Sequence, residues 1–582
     1  MSDISRRNLL KAGALAAAVP AASVGAFYFG YSRAEGNPLR VGVIGTGDEG
    51  SVLLGAMNPE YLEVKAIADI RPYNQYRAFH GDWGVAPRPG LMSVYGWKTE
   101  SEAKKHVKVY ADYMDLINNA AADGIEAIVI GLPLHLHAPA AIAAMRKGLH
   151  VLTEKLMAHN IAQCKEMGRI ATQTGKHLAT GHQRHYNILY HEAVDKIKRG
   201  LLGDIHYIRA QWHRGNSPGG DSWQLPMPES AKPKDPQAKK LERELANFKN
   251  ELASARGSDI ENIAKKVAQK EAQIRDEILV KGGKLGGMEF DSARNYGYID
   301  RTIEWEDMAS KQKRTYERPA AEELLRWRLW ARTGGGLMVE LGSHQLDAAS
   351  IFLAANNDYY HKSNEGKKIH PLKVHVSANR NLFEMDREVN DHITTLVEFP
   401  APDYDPKSEI GKKRKICVQY STINGNGFGG YGEIVYGTKG TMILEKEADL
   451  QMFQDETASK VTTKAAAGPT LDTQSSGPAQ KAVAGGPKAE VSRGYTEELE
   501  HWAWCIRVNP KNAPDKPHPR CYPKVALGDA VIALATNLAA DLGRSVEFKE
   551  EWFDIDSDET PEFDILKENK FRPDINRKEY QS

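Results

Sequence analysis

Cysteine is scarce in this chain: four residues in 582 (Cys164, Cys417, Cys505 and Cys521), scattered too widely to form a metal-type pair. That excludes a disulfide-stapled scaffold and leaves buried thiols as the expectation, with Cys505 to Cys521 the one bridge to consider. Net charge is lacking too, since 77 Lys and Arg balance 77 Asp and Glu. No overall field draws the protein to nucleic acid or an anionic membrane, so a small, neutral or locally recognised ligand is the expected partner. Beyond Phe29 no stretch reads as long and apolar enough to cross a membrane.

What the chain does have is LRVGVIGTGDEG, Leu39 to Gly50. The apolar run Val41–Ile44 breaks at Gly45, glycines recur at Gly47 and Gly50, and a helical pattern follows from Ser51. In such a unit the first glycine makes the turn, the second lets backbone approach a pyrophosphate, and the third lets helix pack on strand. Free N–H groups at the helix start then face the phosphates. Gly45, Thr46, Gly47 and Gly50 are the candidate cradle. A second strand, Leu62 to Ala68, ends in Asp69, where a dinucleotide fold places an acid to hydrogen-bond a ribose. A carboxylate there repels a 2′-phosphate and favours NAD over NADP. Arg71 leaves NADP open, because a guanidinium either stacks on adenine or receives that phosphate.

Strands at Val107–Tyr110, Ala127–Ile130 and His150–Thr153 alternate with helical stretches, the pattern of a doubly wound parallel sheet. Between Phe79 and Glu100, Trp83, Tyr95 and Trp97 sit among glycines and prolines. This reads as a loop, either overhanging the ligand or pinned by its own aromatics.

At the N-terminus, Ser5-Arg6-Arg7-Asn8-Leu9-Leu10-Lys11 precedes a small-residue apolar run from Ala12 to about Phe29. This resembles a twin-arginine (Tat) export signal, with cleavage expected near Ser32-Arg33-Ala34 or retention as an anchor.

Taken together, Gly45-x-Gly47-x-x-Gly50, Pro133-x-x-x-His137 and Gly148-x-His150-Val151-x-x-Glu154-Lys155 resemble the N-terminal half of the Gfo/Idh/MocA family of nicotinamide-dependent sugar and polyol oxidoreductases. The resemblance implies that Lys155 lies at the nicotinamide and acts in catalysis, and that Pro133, His137 and Glu154 line the cofactor. The family has proline after the Glu-Lys pair, where this chain has Leu156. A cis bond before leucine costs about 3 kcal/mol or more, so a trans peptide is expected. Gly181-His182-Gln183-Arg184 and Gly200-Leu201-Leu202-Gly203 are similar to the family's link into its second domain. Arg184, His185 and Tyr186, with His182, are then expected to line the substrate pocket.

From Pro226 to about Arg326 the chain departs from the family. Leu241, Leu245, Phe248 and Leu252, then Ile260, Ile263, Val267, Ile274 and Ile278, recur at helical spacing, broken at Gly257. Ser258 and Glu261 make a capping box. The expectation is a helical hairpin, with a solvated, self-packed arm preferred over a lid or subunit contact.

Gly334-Gly335-Gly336 then leads into a helix bearing Glu340, His344 and Asp347, spaced four and three, on one stripe. The stripe resembles the family's G-G-G-x-x-x-D-x-G-x-H-x-x-D, with Glu340 in place of the aspartate. The resemblance puts Glu340 and His344 over the nicotinamide with Lys155, and Asp347 against the substrate. No third ligand at suitable spacing supports a metal.

The remaining runs, Val374–Ala378, Ile393–Phe399, Ile416–Thr422, Glu433–Tyr436 and Thr441–Leu444, alternate as antiparallel strands. The expected architecture is thus α/β plus α+β: a signal segment (1–34), a Rossmann dinucleotide-binding domain (38–180), and a mainly antiparallel open-sheet domain (181–552). The second domain carries inserts at 226–326 (hairpin) and 455–491 (disordered loop), closes with helices at Tyr495–Arg507 and Lys524–Leu542, and is followed by a tail (553–582).

Oxidising an alcohol needs a hydride acceptor and a base. Desolvation and the charge of oxidised nicotinamide would bring a lysine down from its ordinary ~10.4 toward working pH. Lys155 is the expected base, with His344 sharing the proton and Glu340 orienting His344 or a substrate hydroxyl. Export implies NAD (or NADP) loaded before transit by the Tat machinery, tightly held and recycled within one catalytic cycle in the periplasm. Alternatives are an NAD-dependent glycosidase acting by transient oxidation and a non-catalytic sugar-binding relative; a homo-oligomer is expected.

Overall fold

A computed structural model describes residues 22–32, 36, 38–215, 236–257, 259–280, 284–285, 288–289, 292–307, 310–383, 387–454, 461–464 and 493–562. The twin-arginine motif, Ser258 of the capping box, most of 455–491 and the end of the tail lie outside these residues.

The first domain is a six-stranded parallel sheet of strands β1 (Leu39–Ile44), β2 (Leu62–Ala68), β3 (Lys108–Tyr110), β4 (Ala127–Ile130), β5 (His150–Glu154) and β6 (Leu178–Gly181), in the order 3-2-1-4-5-6. Every residue of β4 and β5 is buried, as expected of strands covered on both faces by crossover helices. The order reverses beside β1, which opens a crevice at the strand ends. The aromatic segment is not all loop, since Leu91–Tyr95 is a short helix; Tyr95 stacks on Trp97 at 4.8 Å and Trp97 on His106 at 5.1 Å.

The second domain is built on a nine-stranded sheet that begins with β7 (Ile205–Trp212). β7 lies between Tyr431–Gly437, antiparallel, and Lys415–Ile423, parallel. His392–Pro400, Lys373–Asn379 and Val546–Glu547 extend one side; Gly440–Glu445, Asp449–Gln454 and Val461–Lys464 extend the other. One face of this sheet packs on the helix Ser343–His361, buried along most of its length.

Several expectations need correction. Val461–Lys464 is a strand inside the segment read as a disordered loop, because its backbone completes the ladder of Asp449–Gln454. The start of the tail belongs to the body: Lys165 Nζ donates to the carbonyls of Glu551, Ser557 and Glu559, and Glu562 accepts from the Ile161 N–H at 2.7 Å. The helix Pro523–Leu542 does have the length and composition to cross a membrane, but it is an alanine- and leucine-rich core helix, with 67% of its most apolar window buried. All four cysteines are free thiols, so the Cys505 to Cys521 bridge is not formed.

The inserted hairpin, Pro236–Ser254 and Asp259–Val280, is not a free-standing arm. Its second helix lies on the first domain, where Gln269 Nε2 donates to the Tyr73 hydroxyl at 3.1 Å, Gln269 Oε1 accepts from Trp83 N–H at 2.8 Å, and Lys266 sits 4.3 Å over the Trp83 ring. The self-packing periodicity was visible in sequence; the outer polar residues that make these contacts carried no such signal.

Candidate active site

Residues that follow the ends of β1 to β5 line one wall of a cleft of about 410 Å³, and residues of the second domain line the other. This volume is typical of a small-molecule site, roughly 300–1,000 Å³.

At one end stands the glycine turn. Gly45 has φ +81°, and a Cβ on Gly50 would fall 1.9 Å from the Gly45 carbonyl oxygen, so helix and turn can touch only without side chains there. A Cβ on Gly47 would meet nothing closer than Asn74 Nδ2 at 3.7 Å. Its backbone therefore faces open cleft. Gly47 caps the helix Asp48–Ala56, which starts earlier than the sequence pattern suggested, and no side chain caps its N–H groups. The first-turn Asp48 would repel a pyrophosphate, but Arg77 (2.6 Å) and Arg88 (3.6 Å) neutralise it. The turn thus meets the requirements of a diphosphate cradle.

Asp69 lies beside the turn. Its carboxylate accepts from the N–H of Thr46 (2.8 Å), the N–H of Arg71 (2.8 Å) and the Asn74 amide, which fixes its orientation at the edge of the cleft. Thr46 itself is fully buried and gives its hydroxyl to the Asn74 carbonyl, so its side chain braces the turn rather than facing a ligand. Arg71 is turned to the hairpin: Nε and an Nη donate to Asp276 Oδ2 at 3.1 and 2.6 Å.

At the other end, Glu154, which ends β5, and Lys155 just after it meet Glu340 and His344. Met338–Gly342 forms a π-helical turn before the α-helix Ser343–His361, and one residue more per turn loosens the local ladder. The Glu340 carbonyl accepts from Lys155 Nζ at 2.6 Å; the Glu340 carboxylate lies 3.8 Å from the same nitrogen and 3.4 Å from Arg328 Nε. The Lys155 side chain is 7% exposed. Burial pushes its pKa down, and the carboxylates of Glu340 and Glu154 only partly restore it. Burial likewise lowers the His344 pKa well below its ordinary value, with the Lys155 charge adding to it, so the imidazole is neutral; its Nδ1 has no partner among the described residues. Burial and the Glu49 charge raise the Glu154 carboxyl well above the carboxylate range.

Further expectations are corrected. The Lys155–Leu156 peptide is cis; the preference of an isolated leucine is overruled by surroundings that bury its side chain and seat its carbonyl 2.8 Å from His137 Nδ1. His137 lines the cleft, with its other nitrogen 2.8 Å from the Leu132 carbonyl and its pKa held low by burial. Pro133 lines the cleft beside it.

The residues expected to line a substrate lie behind the wall. Arg184 is buried against Glu447 (2.8 Å), Glu433 (3.6 Å) and Gln345. The Tyr186 hydroxyl takes the Arg520 N–H at 2.8 Å and lies 2.9 Å from His501. Asp347 pairs with His185 (2.9 Å) and His182 (3.6 Å) instead of sharing the face of Glu340. The extra residue in the π turn shifts the helical phase, which a stripe drawn at regular spacing does not allow for.

This rear cluster brings His182, Cys521 and Asp529, and also His185, Asp347 and Asp529, within 4.8 Å of one another, near enough to share an ion. Lys368 already fills the cation's role: its Nζ hydrogen-bonds Asp529 and lies 3.8 Å from Asp347. Residues that sequence reasoning missed are Arg328, which flanks Glu340, and Asn295, Tyr296 and Tyr298, which the insert contributes to the cleft. Only the place of the last three in a segment foreign to the family's pattern could have flagged them, and Arg328 carried no signal.

Residues 39–182 match the family GFO_IDH_MocA, described as an oxidoreductase family with an NAD-binding Rossmann fold. The chain is 27% identical over 173 residues to 1-carboxy-3-chloro-3,4-dihydroxycyclohexa-1,5-diene dehydrogenase of Comamonas testosteroni, covering 30% of this chain and 37% of that protein. It is 27% identical over 229 residues to a Glycosyl hydrolase family 109 protein of Shewanella baltica, covering 36% and 46%. The chain therefore spans less than half the length of these relatives. The fold resembles that of an inositol dehydrogenase homologue from Azotobacter vinelandii complexed with NAD+, with TM-score 0.52 and 14% identity over 89% of this chain and 99% of that one.

Proposed function

We propose that this chain, whose first domain is of the Gfo/Idh/MocA NAD-binding type, transfers a hydride between NAD and a hydroxyl-bearing carbon of a sugar, polyol or glycoside. The observation that carries this reading is Lys155, a lysine whose burial favours the neutral amine, held by Glu340 in the same cleft as the glycine turn and Asp69. The helix start at Gly47 would hold the diphosphate, Asp69 a ribose, and the Glu154–Lys155 end the nicotinamide. NAD, when bound, supplies the hydride acceptor that no side chain provides. Lys155 Nζ takes the substrate hydroxyl proton, and returns it in the reverse direction. The Glu340 carbonyl aims that nitrogen, Arg328 holds the Glu340 carboxylate, and neutral His344 offers a hydrogen bond to the substrate oxygen.

A second reading, redox-assisted glycoside cleavage, is favoured by the 229-residue similarity to the Glycosyl hydrolase family 109 protein, which is longer than the match to the domain family. One experiment separates the two. Purified protein is denatured and its extract analysed for nicotinamide nucleotide by mass spectrometry; intact protein is then given sugars, polyols and aryl glycosides. Nucleotide in the extract with a lasting change in nicotinamide absorbance supports dehydrogenation, and aglycone release without lasting change supports cleavage. A protein that neither carries nor binds the nucleotide would sink both.

We also propose export by the Tat route, on the Ser5–Lys11 motif. The segment before the expected cleavage site is built into the body: the Tyr31 hydroxyl donates to Glu500 at 2.6 Å, and Phe29 meets Tyr186 edge-on at 5.7 Å beneath Arg520. These contacts favour processing before Ala22, or retention of the segment, over the expected site at Ser32-Arg33-Ala34. N-terminal sequencing of the exported protein tests this, and a mature end at Glu35 would overturn it.

A further inference from the structure

Two guanidinium groups, Arg71 and Arg77, line the Asp69 end of the cleft, and both are committed to carboxylates. Arg77 is held by the first domain's own Asp48 (2.6 Å) and Asp82 (2.8 Å). Arg71 is held from outside that domain. Asp276, on the second hairpin helix, takes two hydrogen bonds from its guanidinium through Oδ2, and its Oδ1 accepts from the Tyr73 N–H at 3.1 Å. The Asp276 side chain is 2% exposed and that of Arg71 26%. The buried carboxylate has no solvent to turn to, so pulling Arg71 away would leave it uncompensated.

We propose that Asp276 is a cofactor-selectivity residue, supplied by the inserted hairpin, which occupies Arg71 and so bars NADP from the cleft. This inference rests on the nicotinamide reading of the site. A 2′-phosphate beside Asp69 needs an unpaired guanidinium, because it brings nearly two negative charges next to a carboxylate. Arg71 stands two residues past Asp69, in the right place to receive it. Asp276 spends that positive charge and adds a second carboxylate at the same corner. Discrimination then has two sources, loss of the attractive partner and presence of a repulsive one. A uncharged ribose hydroxyl meets neither obstacle.

The test is equilibrium binding of NAD and of NADP to the full chain, followed by protein fluorescence. Asp276→Asn removes the charge and keeps the oxygen that Tyr73 uses. It is expected to tighten NADP by about tenfold, the scale of one charge-assisted hydrogen bond, with NAD affinity nearly unchanged. In the Arg71→Gln background only the repulsive part is left to relieve, so the same substitution should give a clearly smaller gain. Arg71→Gln alone, which does not depend on the first variant folding, should leave the already weak NADP binding as it is. An unchanged NADP-to-NAD ratio in Asp276→Asn, an equal gain in the Arg71→Gln background, or strong loss of NADP binding in Arg71→Gln alone each overturns the inference while wild-type NAD binding keeps the nicotinamide reading. A wild type that binds neither nucleotide overturns that reading, and the inference with it.

Discussion

Two lysines are buried against the helix that begins at Met338, and they are driven in opposite directions. Lys155 reaches its first turn from the cleft side; it has one carboxylate at 3.8 Å, a carbonyl at 2.6 Å and Arg328 close by, and burial wins, so its pKa falls. Lys368 sits behind the wall. Burial works against its charge as well, but Asp529 and Asp347 together outweigh it, and its pKa rises. The difference shows what separates a proposed base from a brace in one low-dielectric interior: how closely a carboxylate is held, and whether a guanidinium stands nearby. A lysine whose carboxylates stay at a distance keeps a labile proton; a lysine hydrogen-bonded to one becomes part of the frame.

The sharpest way to break this comparison is to remove each ammonium in turn. Lys155→Met should cost roughly 100- to 10,000-fold in kcat, the usual contribution of a positioned base. NAD affinity should be kept, and stability should stay within about 1 kcal/mol. Lys368→Met should do the reverse, costing about 3–5 kcal/mol in denaturant unfolding because Asp529 is left buried without the partner that hydrogen-bonds it. Comparable losses of turnover and stability in both variants would erase the distinction between the two lysines.

A smaller effect sharpens it. The base must be neutral to accept a proton, so the rate of oxidation should rise with pH along a limb centred below the ordinary lysine value. Glu340 raises the Lys155 pKa and Arg328 lowers it. In pH–rate profiles Glu340→Gln should therefore move the limb to lower pH and Arg328→Ala to higher pH. Movement of both in the same direction would mean that the limb belongs to another group.

Much of the first domain was legible in sequence because its signals are local. The break at Gly45, the fully apolar β4 and the acid at Asp69 each follow from a few neighbouring residues. Lys155, Glu340 and His344 came from a pattern resemblance, and the structure brings all three to one cleft. What could not be read depends on distant partners or on local phase. Asp276 meets Arg71 from 205 residues away, and nothing in the hairpin's apolar periodicity marks it. Asp347 faces the rear cluster because of a π turn that no heptad count anticipates. Arg184 and Tyr186 adjoin the expected link, yet they are consumed by Glu447 and His501.

The place of β7 in the second sheet has a consequence for the order in which the molecule can assemble. β7 is the first strand of that sheet in sequence and lies at its centre, between strands that end at Ile423 and Gly437. Tyr207 on β7 waits for Gln419, 212 residues later, to complete their hydrogen bond. The parallel sheet, by contrast, is complete at Gly181. During synthesis the first domain has all its strands while the centre of the second sheet still lacks both neighbours, and the long loops to be closed are expected to make that sheet the slower to form.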